Sequence, residues 1–154
     1  MSAYLSKYTS TKTYGHERGL SCAFRQWRAA SHCNVLHGYA LSFKFTFACT
    51  HLDEKNWVVD FGDLKSLESW LKIRFDHTTA VAEDDPMYGL FKEMQEAEII
   101  NMIVFPGVGC EMFAKLAFDA ASEIIKDKYG DRCWVQSVEV QEHGANSAIC
   151  SGLE

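Results

Sequence analysis

Tyr39-Ala-Leu-Ser-Phe-Lys-Phe-Thr-Phe-Ala-Cys49 alternates without a break, carrying Leu41, Phe43, Phe45, Phe47 and Cys49 on one parity. A sustained period of two is the mark of a strand with one face in a core. His37 and Tyr39 continue the odd parity, and strand residues two apart share a face. Just upstream, Cys33-Asn34-Val35-Leu36-His37-Gly38-Tyr39 sets a thiol and an imidazole four residues apart. A His-Gly-His at this spot would aim two imidazoles at one ion. Here the second imidazole is replaced by a phenol.

Upstream of this strand, Thr9 to Gln26 is rich in Thr, Tyr and small residues, with Leu20, Cys22 and Phe24 on one parity. It reads as a long strand interrupted at Gly15 and Gly19. Downstream, Leu64, Leu67, Leu71 and Phe75 stand at helical spacing behind an acidic first turn, predicting a helix over 60–75. A shorter helix is expected over 87–97 behind Pro86, and a third strand over 98–105, ended by Pro106-Gly107. Residues 111–128 predict a second long helix with Phe113, Leu116, Ala117, Ala120 and Ile124 along it and Gly130 after it. A last strand over 133–141 places Trp134, Gln136, Val138 and Val140 on one parity. The expected class is α+β, a sheet with helices on one face, whose edges would gain by pairing across subunits.

The chain has 154 residues, about one domain, with no linker, repeat or low-complexity tract, and residues 1–154 are read as a single unit. A net charge of −6 without a basic cluster argues against nucleic-acid partners. The N-terminal segment has no apolar leader and no stretch is long enough to span a membrane, so a cytoplasmic location is expected. Six scattered Cys in such a chain read as free thiols, most of them small buried hydrophobes.

Several other residues carry possible chemistry. Asp76-His77 joins a carboxylate to an imidazole after the first long helix, either as a proton-transfer unit or as an ordinary helix end. Glu142 closes the last strand, where a carboxylate can accept two hydrogen bonds from a heterocycle edge. Glu111 opens the second long helix, where an acid also complements the helix dipole. His32 reads equally as ligand, thiol activator or loop residue. Trp27-Arg28 reads as a pocket cover or an exposed stack, and His16 and His51 as surface residues.

Taken in order, Leu20-Ser-Cys-Ala-Phe24, Cys33-x3-His37-Gly38-Tyr39, Val58-Val-Asp-Phe-Gly-Asp-Leu-Lys65, Asp76-His77, Val108-Gly-Cys-Glu111 and Glu142 resemble the 6-pyruvoyltetrahydropterin and 6-carboxytetrahydropterin synthase family over nearly the whole chain. The resemblance implies the tunnelling fold (T-fold), a four-stranded antiparallel sheet with two main helices on one face. Subunits of that fold join into barrels as homo-oligomers, trimers or hexamers, with sites at their interfaces. It implies a lyase acting on the pterin substrate 7,8-dihydroneopterin triphosphate, in queuosine or tetrahydrobiopterin biosynthesis. Cys33 would be the catalytic thiol, and Asp76 and His77 an acid-base unit delivered across an interface. Glu142 would anchor the pterin ring, with Glu111 also binding substrate.

The family's zinc is held by three His, and the matching positions are Phe24, His37 and Tyr39. One imidazole remains, so the zinc site is degenerate. His32 and Cys22 are the nearest replacement ligands, while Tyr39 or Arg25 could serve as an electrophile in place of the metal. The alternative is a T-fold protein that binds a pterin or purine without lyase chemistry. A different reaction on a related heterocycle, with Cys33 as nucleophile, is a third possibility.

Overall fold

A computed structural model describes residues 5–153 of the chain. The expectation about an N-terminal leader falls partly on residues 1–4, outside the described residues. In chain order the elements are β1 (Tyr8–Tyr14), β2 (Leu20–Phe24), β3 (His37–Cys49), α1 (Lys65–Phe75), β4 (Thr78–Ala82), α2 (Tyr88–Glu96), β5 (Met102–Phe105), α3 (Cys110–Tyr129), β6 (Cys133–His143) and β7 (Asn146–Ser151). The sheet runs β5-β4-β2-β3-β6-β7, with β1 also paired to β3.

β3 is the centre of the sheet, and its Leu41, Phe43, Phe45, Phe47 and Cys49 are fully buried, as the alternation predicts. β1 and β2 are the two halves of the interrupted first strand. Both lie antiparallel along β3, with Tyr14 opposite Phe43 and Leu20 opposite Leu41. Residues 15–19 are therefore extruded as one short helical turn. Gly19, at φ 66°, turns the chain back into the sheet, a conformation that costs a side chain more than it costs glycine.

β6 pairs antiparallel with the other edge of β3 and turns back into β7. With β1 and β2 counted as one interrupted strand, the antiparallel part has four strands. Its members differ from the expected set, because β7 is the fourth and the predicted third strand lies elsewhere. That strand is shortened to β5, and it pairs in parallel with β4, which pairs in parallel with β2. All five residues of β4 are buried, so the strand lacks the alternation that makes a one-sided strand visible in sequence.

The last strand also differs in facing. The register of β6 slips between Thr46 and Phe47 of β3, so Ser137 and Val135 occupy successive partner positions and Gln136 is the extra residue. A bulge reverses the parity of everything beyond it. Trp134 consequently points outward while Val135, Val138 and Val140 are buried.

α1 and α3 cover one face of the sheet, α1 against β2 and β4, α3 against β6 and β7. The buried stripe of α3 is Cys110, Phe113, Ala114, Ala117, Ala121 and Ile125. It is offset by one position from the expected stripe, because small alanines let the helix approach the sheet and leave Leu116 and Ile124 on its flanks. Phe75, at the end of α1, joins the layers, with ring centroids 4.9 Å from Phe43, 5.1 Å from Phe113 and 5.6 Å from Phe105. Phe113 then touches Phe24 edge-on at 5.2 Å, so the core runs without a gap to the strand ends that carry the site. Among the described residues no helix is long and apolar enough to cross a membrane.

Candidate active site

Phe24 ends β2 directly opposite His37 at the start of β3. Tyr39 projects on the same side as His37, so the three rings meet. Centroid separations are 5.3 Å for His37–Tyr39, 5.8 Å for Phe24–His37 and 6.1 Å for Phe24–Tyr39. Three imidazoles around one tetrahedral zinc, with Zn–N near ~2.1 Å, have ring centroids roughly 5 Å apart. The backbone thus keeps three positions aimed at one point, while two of the three imidazoles there are gone.

Phe24 is 2% exposed and supplies no ligand atom. His37 commits Nδ1 to the Val35 carbonyl at 2.6 Å, leaving only Nε2. Tyr39 holds its proton more tightly than an ordinary phenol, through desolvation first and then the nearby Glu142 carboxylate. A neutral phenol is a poor zinc ligand.

The replacement ligands also fail. Cys22 lies fully buried on the core face of β2, where burial raises its thiol pKa, and His32 is exposed on a short helical turn. Among the described residues no group of three His, Cys, Asp or Glu is placed to hold a metal ion. The residues present do not fit the family's zinc.

The remaining candidates divide into two groups. Cys33 lies half-buried on the turn Ser31–Asn34, where its carbonyl accepts the Gln26 amide at 2.9 Å and its amide donates to Ser31 Oγ at 3.4 Å. Glu142 is half-buried near the end of β6, and its carboxylate acts on Tyr39. Glu111 sits beside Cys110 at the start of α3. Cys110 is buried and its thiol is pushed up to about 12, by burial first and then by Glu142 and Glu111. It stays a neutral thiol next to the carboxylates. His143, 6.1 Å from Tyr39 between centroids, completes the rim.

Asp76 and His77 lie apart from this cluster within one chain. They pair with each other, His77 Nδ1 to Asp76 Oδ1 at 2.6 Å, where α1 ends and β4 begins. Thr78 is in register with Cys22, whereas Cys33 is tied to Gln26, four residues further along. The His77 side chain is 88% exposed, and its backbone takes the left-handed φ of 55°.

Arg25, expected as a possible electrophile, is committed elsewhere: its guanidinium forms a two-point contact with the buried Asp85. That pairing holds the Asp85 carboxyl below the usual carboxylate range. Trp27 and Arg28 form an outward stack at 3.9 Å, tied to Asp84. His16 and His51 are exposed, as expected. The residues missed in the sequence are Asp85, Asn34, Gln26, Cys110 and His143. Of these, all but Asp85 adjoin candidates already marked, which was the available signal. A cavity of about 460 Å³ beside β1, between Tyr8, Trp57 and Phe61, has none of the candidate residues in its wall.

Gly109 links the two halves of the site. Its φ is 112°, and a Cβ there would lie 2.4 Å from Gln26 Nε2, which donates to the Val108 carbonyl. Gly109→Ala is expected to strain the backbone and break the Gln26 contact, lowering stability by about 1–3 kcal/mol. Urea denaturation followed by circular dichroism reads this directly.

The sequence pattern of the 6-pyruvoyl tetrahydropterin synthase family matches residues 14–152. The chain belongs to that family. A 6-carboxy-5,6,7,8-tetrahydropterin synthase from Aquifex aeolicus (strain VF5) is 29% identical over 104 residues, 66% of this chain. The chain spans 64% of that relative's length. Among solved structures, an uncharacterized protein of Wolinella succinogenes superposes with a TM-score of 0.82 at 16% identity, covering 96% of this chain and 99% of that one. A catalytic-residue mutant of Plasmodium vivax 6-pyruvoyltetrahydropterin synthase gives 0.67 at 15% identity, covering 94% and 97%. These likenesses place the chain in the T-fold, with its mixed sheet and its helices on one face.

Proposed function

We propose that the chain is a tetrahydropterin synthase-type lyase that takes a pterin on Glu142, uses the Cys33 thiol for proton transfer, and works without zinc. The carrying observation is Tyr39, which shares a strand face with His37 and lies within electrostatic reach of both Glu142 and Cys33. This proximity supports a reading in which Glu142 anchors the ring and Cys33 works beside it. Glu142 accepts from the amino-pyrimidinone edge of the ring, a charge-assisted pairing favoured by its half-buried position. Cys33 accepts and returns the proton at the side-chain carbon next to the ring. Tyr39, kept protonated, donates to the side-chain oxygen as negative charge develops there.

The substrate proposed is 7,8-dihydroneopterin triphosphate, and the product a 6-pyruvoyl- or 6-carboxytetrahydropterin. Asp76 and His77 would reach this pocket from another copy of the chain in a homo-oligomer. The outward-facing His77, held by its own Asp76, suits that role. Release of triphosphate from the substrate by the purified protein tests the reading. Release that persists in chelator and falls by about 10²-fold or more in Cys33→Ala is expected. No release, with or without zinc, sinks it.

The missing metal donors favour a second reading, a pterin- or purine-binding protein without lyase chemistry. Tight binding of a pterin with no turnover would select it.

A further inference from the structure

Arg25 leaves β2 with its guanidinium turned back into the protein. Nε donates to Asp85 Oδ2 at 2.9 Å and Nη2 to Asp85 Oδ1 at 2.7 Å. Nη1 donates to the Asn34 carbonyl and to Asn34 Oδ1, both at 3.2 Å. Asn34 Nδ2 donates in turn to the carbonyls of Trp27 and Ala29, at 2.8 and 3.3 Å. The Asp85 side chain is 2% exposed and that of Arg25 16%. Asp85 is itself fixed, because Oδ1 also accepts the Met87 amide at 2.8 Å at the head of α2.

A two-point guanidinium–carboxylate contact shielded from water has essentially one geometry. The turn that carries Cys33 is thus bolted at Asn34 to the head of α2 through a rigid fork. A three-residue turn has little stability of its own, so its place is set by the fork together with the Gln26 amide on the Cys33 carbonyl and the Asn34 contacts to Trp27 and Ala29. The rate at which a thiol reacts depends on its thiolate fraction and on access to it.

We propose that Arg25 is a positioning residue: anchored on Asp85, it sets the Cys33 turn and thereby the reactivity of the Cys33 thiol. The proposal rests on Cys33 being the reactive group of the site. Lys at position 25 keeps a positive charge beside Asp85, yet a single ammonium cannot serve Asp85 and Asn34 together. Asn34→Ala leaves the Arg25–Asp85 pair and the Nη1 contact to the residue-34 carbonyl in place, and removes the Nη1 contact to Oδ1 together with the Nδ2 contacts to the Trp27 and Ala29 carbonyls.

The test is alkylation of the folded protein by iodoacetamide from about pH 6 to about pH 10, read by peptide mass at Cys33. Cys150, the other partly exposed thiol, serves as internal reference. In Arg25→Lys and in Asn34→Ala the Cys33 rate is expected to move at least about fivefold toward that of a synthetic peptide of residues 31–36, with Cys150 unchanged. Unchanged Cys33 profiles in both variants overturn the proposal. So does a wild-type Cys33 that already reacts like the peptide, since no positioning then exists. A distinct wild-type profile that shifts in the variants, in a protein that releases no triphosphate, upholds the positioning and overturns the lyase reading instead.

Discussion

Replacing Phe24 and Tyr39 together by His is expected to give a protein that takes up close to one zinc per chain, at least about 10³-fold more tightly than the unsubstituted protein. The positions already converge: the three rings stand 5.3 to 6.1 Å apart, near the spacing of three imidazoles on one ion. His37 is already set with Nδ1 on the Val35 carbonyl, which leaves Nε2 for the metal and fixes the ring, as an outer-shell partner does in a working site. The exchange carries a cost, because Phe24 packs on Phe113 and its loss should lower metal-free stability by about 3 kcal/mol. A metal that binds only the folded form raises stability in proportion to ln(1 + [Zn]/Kd). Zinc should therefore raise Tm in the double variant and leave it unmoved in the unsubstituted protein and in Phe24→His alone. A folded double variant that stays indifferent to zinc would show that these backbones do not form a metal geometry.

Glu142→Ala should weaken pterin binding by about 30- to 1,000-fold, the equivalent of roughly 2–4 kcal/mol for two charge-assisted hydrogen bonds lost from a partly desolvated site. Glu142→Gln should lose most of the same affinity, because its amide presents a donor where the ring also presents donors. Neither substitution touches the buried core, so both variants should melt close to the unsubstituted protein. Calorimetric titration with a panel of pterins and guanine derivatives gives the affinities. Equal affinity in Glu142→Ala would remove Glu142 from the site.

The parts of the fold that could be read in the sequence are those where one face meets the core and the other meets water. β3 shows this in its uninterrupted period of two, and α1 in Leu64, Leu67, Leu71 and Phe75. β4 is buried on both faces and carries no alternation, so Thr78–Ala82 leaves no periodic trace. β7 is the return arm of a hairpin, partly exposed, and its polar residues resemble a loop. The bulge at Gln136 is set by pairing to β3, and it reverses a parity that the sequence alone makes continuous.

The site divides in the same way. The shared face of His37 and Tyr39 follows from strand parity, and Phe24 joins them through the family resemblance. The Arg25–Asp85 fork joins residues sixty positions apart, and the contact between Cys110 and Glu142 joins a helix start to a strand end. Nothing local marks such pairs, because each residue is ordinary in its own segment. Asp76 and His77 were legible as a pair, and their distance from Cys33 within one chain became visible only when β4 was found in parallel with β2.

On the reading proposed above, Glu142 and Cys33 handle a pterin at a site that holds no zinc. Elemental analysis of protein incubated with excess zinc, desalted and then titrated with a pterin in a calorimeter tests it most directly. Far less than one zinc per chain is expected, together with pterin binding that chelator does not diminish. Close to one zinc per chain, or pterin binding that disappears on chelation, would contradict it.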